Sequence, residues 1–138
     1  MTACHAPSFP DLNDLIGRPY RCGARGPAAF DCWGLVLEMR RRLGLETPPD
    51  FATRVLTPEH ARALFHDERP PGWVRVQASH GAIALAPDAA YRPHAGVQFA
   101  GRIVHAVHGA GVVAWTIGRC QAEFGELEFY EWQASSSC

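Results

Sequence analysis

Long hydrophobic runs, an excess of one charge and an even number of cysteines are all missing from this 138-residue chain. No stretch approaches the roughly 20 apolar residues that a membrane-spanning helix needs, so we expect no membrane span. The 13 basic and 14 acidic side chains give a net charge of -1, which provides no overall field to attract nucleic acid. The five cysteines are irregularly spaced, which argues against a disulfide framework.

The first ten residues also lack the features of a secretory signal. Met1–Pro10 has neither a positively charged start nor an apolar segment, so we expect a protein made in the cytoplasm without a signal peptide. The length predicts one domain, residues 1–138, with its core between about residues 11 and 132 and flexible ends.

Helix signals precede strand signals along the chain. Helices are predicted at Asp11–Ile16, from Asp31 as N-cap to Gly44, and from Thr57 to about His66. Six strands are predicted at Trp73–Gln77, Ala82–Ala86, Ala95–Phe99, Arg102–Val107, Val112–Ile117 and Leu127–Trp132. This order predicts an α+β fold in which N-terminal helices pack on a curled, mostly antiparallel sheet of about five to six strands.

Two features of the second helix invite a structural interpretation. The run Arg40–Arg42 is predicted to form a solvated helix face. Gly34 costs roughly 1 kcal/mol relative to alanine inside a helix, which indicates that another element or a ligand approaches closely there.

The most informative residue is Cys32, which follows the predicted N-cap Asp31. The first backbone N–H groups of a helix have no partners within the helix and carry partial positive charge. A thiolate is stabilised at such a position, where the pKa of a cysteine can fall from about 8.5 to between about 3.5 and 7.5. Cys32 is therefore a candidate nucleophile.

A candidate base comes from a predicted hairpin. If Ala100-Gly101 is a two-residue turn, Val97 pairs with Val104 and Gly96 lies opposite His105. His94 and His105 then share one face of the sheet as diagonal neighbours. One imidazole can act on the thiol while the other fixes its tautomer and orientation. Two other interpretations stay open: satisfied interior histidines, or a zinc site formed by Cys32, His94, His105 and His108.

The combined pattern resembles the NlpC/P60 family of papain-like cysteine peptidases, and its branch in phage tails and gene transfer agents. The matching residues, between about 11 and 117, are Gly17-Arg18-Pro19-Tyr20, Gly23, Phe30–Val36, Gly44-Leu45, Pro48, His94–Val97 and Ile103–Ala106. Trp33 and the ending Val104–Ala106 with Gly109–Val113 resemble the phage-tail branch.

The resemblance implies a cysteine endopeptidase that cuts the D-glutamyl-diamino acid bond of peptidoglycan stem peptides. It implies Cys32 as nucleophile, His94 as general base and His105 as the residue that orients it. Tyr20 is implied near the nucleophile, as a substrate or oxyanion contact, and Trp33 is a further candidate for lining the cleft. No metal or cofactor is implied. The implied partners are the peptidoglycan peptide and phage tail proteins, and the implied place of action is the bacterial cell wall, reached by delivery in a virion or similar particle.

The sequence departs from the family pattern at three places. Gly81-Ala82 stands where the family has Gly-Asp, Gly23-Ala24 replaces a double glycine, and Pro48–Phe51 replaces an Arg-Thr-Ser-like element. Two rival functions remain open: a secreted amidase effector toxin with the same chemistry, or a catalytically inactive module for tail assembly or wall binding.

Overall fold

The described part of the protein combines two helices with one six-stranded sheet. The computed structural model describes residues 11–48, 50, 72–89 and 93–133. In chain order the elements are α1 (Cys32–Arg42), β1 (Trp73–Val76), β2 (Ile83–Ala86), β3 (His94–Phe99), β4 (Arg102–Val107), β5 (Gly111–Thr116), α2 (Ile117–Phe124) and β6 (Glu128–Trp132). The predicted α+β class is confirmed, and none of the described helices is long and apolar enough to cross a membrane.

All six predicted strands are present, and their ends differ from the prediction by at most one residue. Every neighbouring pair is antiparallel, and the spatial order is β1-β6-β2-β3-β4-β5. The predicted hairpin register is confirmed, because Phe99 pairs with Arg102 and Val97 with Val104. Ala100 and Gly101 have φ values of 52° and 76°, which suit a two-residue turn with both central residues at positive φ.

The predicted helix at Asp11–Ile16 is wrong, because the chain makes a single turn there. The amides of Leu15 and Ile16 both donate to the carbonyl oxygen of Leu12, and the chain then leaves the helical path at Gly17. Gly17 has a φ of 92°, and its amide donates to Val112 in β5, so the segment is tied to the sheet instead of continuing as a helix. The helix predicted at Thr57–His66 lies outside the described residues.

The sheet is covered on both faces. Apolar side chains of α1 pack on one face, where Leu35, Val36 and Met39 join Val97 and Val104 in a core that excludes water. The other face carries a smaller cluster that includes Ile103 of β4 and Cys120 of α2. Because side chains alternate along a strand, His105 lies on the same face as Ile103, toward α2.

Arg40 corrects the prediction for the arginine run. Its side chain is only 1 % exposed and donates hydrogen bonds to the carbonyl oxygens of Glu46 and Gly81 and to the Glu131 carboxylate at 2.9 Å each. Arg41 is exposed, as predicted, whereas Arg42 is partly covered and pairs with Asp14 and Glu38. A buried arginine is stable only when its charge is paired and its N–H groups are satisfied, and Arg40 meets both conditions.

Candidate active site

The candidate nucleophile lies at the first residue of α1. Asp31 is the N-cap, with extended backbone and a carboxylate oxygen that accepts the Gly34 amide hydrogen at 2.7 Å. This contact satisfies one of the orphan amides of the first turn and confirms the predicted N-cap. Cys32 therefore sits at the first residue of the helix, at its positively polarised end.

A loop is fastened against this first turn. The Asp31 carboxylate also accepts hydrogen bonds from the Gly23 amide at 3.0 Å and from Arg25 at 2.7 Å. Gly34 faces the backbone of Ala24 so closely that a Cβ atom would collide with its carbonyl oxygen. The close approach predicted from the helical glycine is thus made by this loop, which holds the surroundings of Cys32 in place.

The two predicted histidines are in direct contact. His94 Nε2 lies 2.7 Å from His105 Nδ1, a hydrogen bond that joins β3 to β4. Gly96 makes room for it, because a Cβ atom there would lie 2.9 Å from His105 Cβ and 2.8 Å from Ile103. The bond engages Nε2 of His94 and leaves Nδ1 as the other ring nitrogen that can exchange a proton.

Burial keeps both imidazoles neutral. Loss of solvation and the neighbouring His105 lower the pKa of His94 to about 3. Loss of solvation and the positive charge of Arg119 lower the pKa of His105 to about 4. The ring of Phe124 stacks on His94 with centroids 4.1 Å apart and planes 19° from parallel, which shields the base from water. At neutral pH the pair therefore holds no net charge.

Cys32 and His94 line one cavity of about 620 Å³. Tyr20 lines it as well, and its ring contacts His108 edge-on at 5.5 Å between centroids. His105 is 0 % exposed and does not line the cavity, which places it behind His94. The structure thus brings Cys32, His94 and Tyr20 to one cavity, and His105 holds His94 through a hydrogen bond on the side away from it. The assignment of catalytic roles to these residues stays a prediction.

Trp33, like His105, does not line the cavity. Its side chain is 2 % exposed within the apolar core and packs against Trp73 at 6.1 Å between ring centroids. Since Cys32 points to the cavity, the next residue on the helix is turned about 100° away from it. Trp33 therefore occupies a core position.

Sequence reasoning missed α2, which contributes two cavity residues, Glu123 and Phe124. The start signal was available, because the Thr116 hydroxyl oxygen accepts the Arg119 amide hydrogen at 3.2 Å as an N-cap. The end signal was Gly125, whose φ of 88° ends the helix.

The alternative of a zinc site has no support in the geometry. Within residues 11–48, 50, 72–89 and 93–133, no three histidine, cysteine or acidic side chains are grouped so that they could hold a metal ion. The contact between His94 and His105 instead uses one ring nitrogen from each imidazole for a mutual hydrogen bond.

Acidification should destabilise the protein through these histidines. Their folded pKa values of about 3 and about 4 lie below the ordinary value of 6.5, so the unfolded chain binds more protons between those limits. Stability then falls as the pH drops from about 6.5 toward 4. We expect the melting temperature to decrease from pH 7 to pH 5, measured by circular dichroism, and to decrease less in His105→Asn. The exposed-site control His80→Asn keeps both buried histidines and should lose as much as the wild type, whereas a decrease as small as that of His105→Asn would contradict this origin.

No protein-family model matches the sequence, and no curated protein matches it. Among solved structures, the chain is similar to the NlpC/p60 domain of the peptidoglycan hydrolase SagA, with a TM-score of 0.55 and 20% sequence identity. The similarity covers 88% of this chain and 92% of that domain. The chain therefore has the fold of an NlpC/p60 domain, as the sequence motifs predict.

Proposed function

We propose that this protein is a cysteine peptidase that hydrolyses peptide bonds of bacterial peptidoglycan. The observation that carries the proposal is the arrangement of Cys32 and His94 on one cavity, with His105 hydrogen-bonded behind His94. A nucleophile, a base and a residue that orients the base form the set needed for acyl transfer. The substrate class is supported by the fold shared with a domain of a peptidoglycan hydrolase.

The first half of the reaction forms a thioester. Because burial keeps the histidine pair neutral, the Cys32 thiol gives its proton to His94 Nδ1 as the sulfur attacks the peptide carbonyl carbon. The oxyanion that forms accepts a hydrogen bond from the Cys32 backbone N–H at the helix start, with the Tyr20 hydroxyl as a second donor. Protonated His94 then donates its proton to the departing amine, and the C–N bond breaks.

The second half regenerates the enzyme. A water molecule gives a proton to His94 Nδ1 and its oxygen attacks the thioester carbon. The C–S bond breaks, the peptide leaves as a carboxylate-terminated product, and Cys32 recovers its proton from His94. Throughout, Nε2 of His94 stays bonded to His105, which keeps the imidazole in one orientation.

We assign the scissile bond to the link between D-glutamate and the diamino acid of the stem peptide, on the sequence resemblance to NlpC/P60 peptidases. The test is to incubate wild-type protein and the Cys32→Ala variant with purified peptidoglycan and to analyse the released fragments by mass spectrometry. New fragments that end in D-glutamate are expected from the wild type alone. Intact peptidoglycan after prolonged incubation with the wild type would favour a non-enzymatic module.

The sequence motifs also support association with a phage-tail-like particle that delivers the protein to the cell wall. The matching features are Trp33 within Asp31–Val36, and Val104–Ala106 with Gly109–Val113. If the protein travels in such a particle, it is present in purified particles when these are analysed by mass spectrometry. An adjacent gene for a small immunity protein would favour the effector toxin instead.

His105 should affect the rate according to what replaces it. His105→Ala removes the partner of His94 Nε2, and we expect the rate of peptide release to fall by about 10² to 10⁴-fold. His105→Asn keeps a side-chain acceptor, so a smaller loss is expected. The control is His80→Ala, an exposed histidine whose ring lies 5.5 Å from that of Phe99. Equal rates in wild type, His105→Ala and His105→Asn would show that His105 is structural only.

A further inference from the structure

A buried thiol lies behind the histidine pair and has no part in the proposed reaction. Cys120, on α2, is 1 % exposed, and its Sγ lies 3.8 Å from His105 Nε2. A sulfur at this distance is within hydrogen-bonding range of an imidazole nitrogen. Successive contacts therefore connect the cavity to the interior: His94 lines the cavity, His105 bonds to His94, and Cys120 contacts His105.

The position of one proton decides whether His94 can act as a base. The neutral pair has a single proton between His94 Nε2 and His105 Nδ1. If His94 holds that proton on Nε2, its Nδ1 has a lone pair that can accept the proton of Cys32. If His105 holds it on Nδ1, then neutral His94 carries its own proton on Nδ1 and cannot act as a base.

Whether His105 carries a proton on Nε2 shows which tautomer of the histidine pair is present. In the basic state of His94, neutral His105 carries its proton on Nε2, and this N–H needs an acceptor because His105 is 0 % exposed. Among the described residues, Cys120 Sγ is the hydrogen-bonding atom at Nε2. Burial raises the pKa of Cys120 to about 11, so the thiol stays neutral and presents sulfur lone pairs.

We propose that Cys120 is a positioning residue whose sulfur accepts the Nε2–H of His105 and so keeps Nδ1 of His94 available as the base. The catalytic consequence rests on the proposed function, whereas the tautomer itself is a property of the resting protein. Arg119 supports the neutral state, because its guanidinium stacks over Trp115 at 3.9 Å and Trp115 contacts His105 edge-on at 4.8 Å. Its positive charge disfavours a second proton on the pair.

The test compares three substitutions of Cys120. Cys120→Ser keeps an acceptor, Cys120→Ala removes it, and Cys120→Val removes it while filling the space. Long-range ¹H–¹⁵N NMR spectra of the full chain distinguish Nδ1–H from Nε2–H tautomers of each histidine without any substrate. We expect Nε2–H on both His94 and His105 in the wild type and in Cys120→Ser. In the alanine and valine variants an orphaned Nε2–H is costly, so the proton of His105 moves to Nδ1.

Kinetics provide the second readout. The two apolar variants should lose about tenfold in kcat with KM unchanged, since fewer molecules hold the base in its active tautomer, and Cys120→Ser should retain most of kcat. A wild-type His105 protonated on Nδ1, or unchanged tautomers in both apolar variants, would overturn the proposal. If the tautomers shift as expected but the wild type does not cleave peptidoglycan, the proposed function fails and the positioning role stands.

Discussion

Replacing Cys32 with alanine is expected to lower the rate of peptide release from peptidoglycan by at least about 10³-fold. The thiol is the atom that forms the covalent bond, so its loss removes the thioester route while leaving the cavity and the histidine pair. Alanine is also a good helix residue, and the Asp31 cap acts on the Gly34 amide, not on the Cys32 side chain. The fold should therefore survive, as circular dichroism can verify beside the rate measurement.

The matched control is Cys22→Ala, which removes a second thiol that lines the same cavity. It should retain most of the activity, because Cys22 is an exposed loop residue and not the first residue of a helix. Iodoacetamide should inactivate the wild type at the rate at which it alkylates Cys32. Buried Cys120 should be alkylated far more slowly. Activity that persists in Cys32→Ala but is lost in Cys22→Ala would reassign the nucleophile.

Arg40→Ala should lower the free energy of unfolding by about 3–5 kcal/mol, because it removes the donor of several hydrogen bonds and a large buried side chain. The substitution leaves the carbonyl oxygens of Glu46 and Gly81 without their donor and takes the partner from Glu131. It also empties the volume of one of the largest buried side chains. Urea denaturation followed by tryptophan fluorescence measures the loss.

Arg41→Ala serves as the control, because its side chain is 68% exposed and its pairing with Glu38 lies within one helix turn. Surface pairs of this kind contribute only about 0–1 kcal/mol, so this variant should unfold close to the wild type. A similar small loss for Arg40→Ala would mean that the hydrogen bonds to β6 and to Gly81 contribute little to stability.

The parts of the site that were predictable from sequence are those governed by local geometry. A positive-φ turn at Ala100-Gly101 sets the strand register, and the register then puts His94 and His105 on one face. In the same way, Asp31 followed by an apolar helix locates Cys32 at a helix start. Both inferences need only residues that lie within about a dozen positions of one another.

The parts that were missed depend on contacts between distant segments. Arg40 is buried because its partners come from residues 81 and 131, and no local pattern distinguishes it from its exposed neighbour Arg41. The helix α2 spans only eight residues and directly continues the strand β5, so its apolar residues Ile117, Cys120 and Phe124 form a helical pattern too short to separate from the strand before it. The shielding of His94 by Phe124 was therefore invisible as well.

The place of β6 in the sheet has a consequence for how the chain folds. The strands β2, β3, β4 and β5 form a meander of consecutive neighbours, which can assemble from local contacts. By contrast, β6 lies between β1 and β2, pairing Trp132 with Trp73 and Tyr130 with Ile83 across some fifty residues of sequence. Pairings of such long range are slow to form. During synthesis, β1 cannot join the sheet through its pairing with β6 until Trp132 has left the ribosome, whereas the histidine hairpin and its pairing with β2 can form before it.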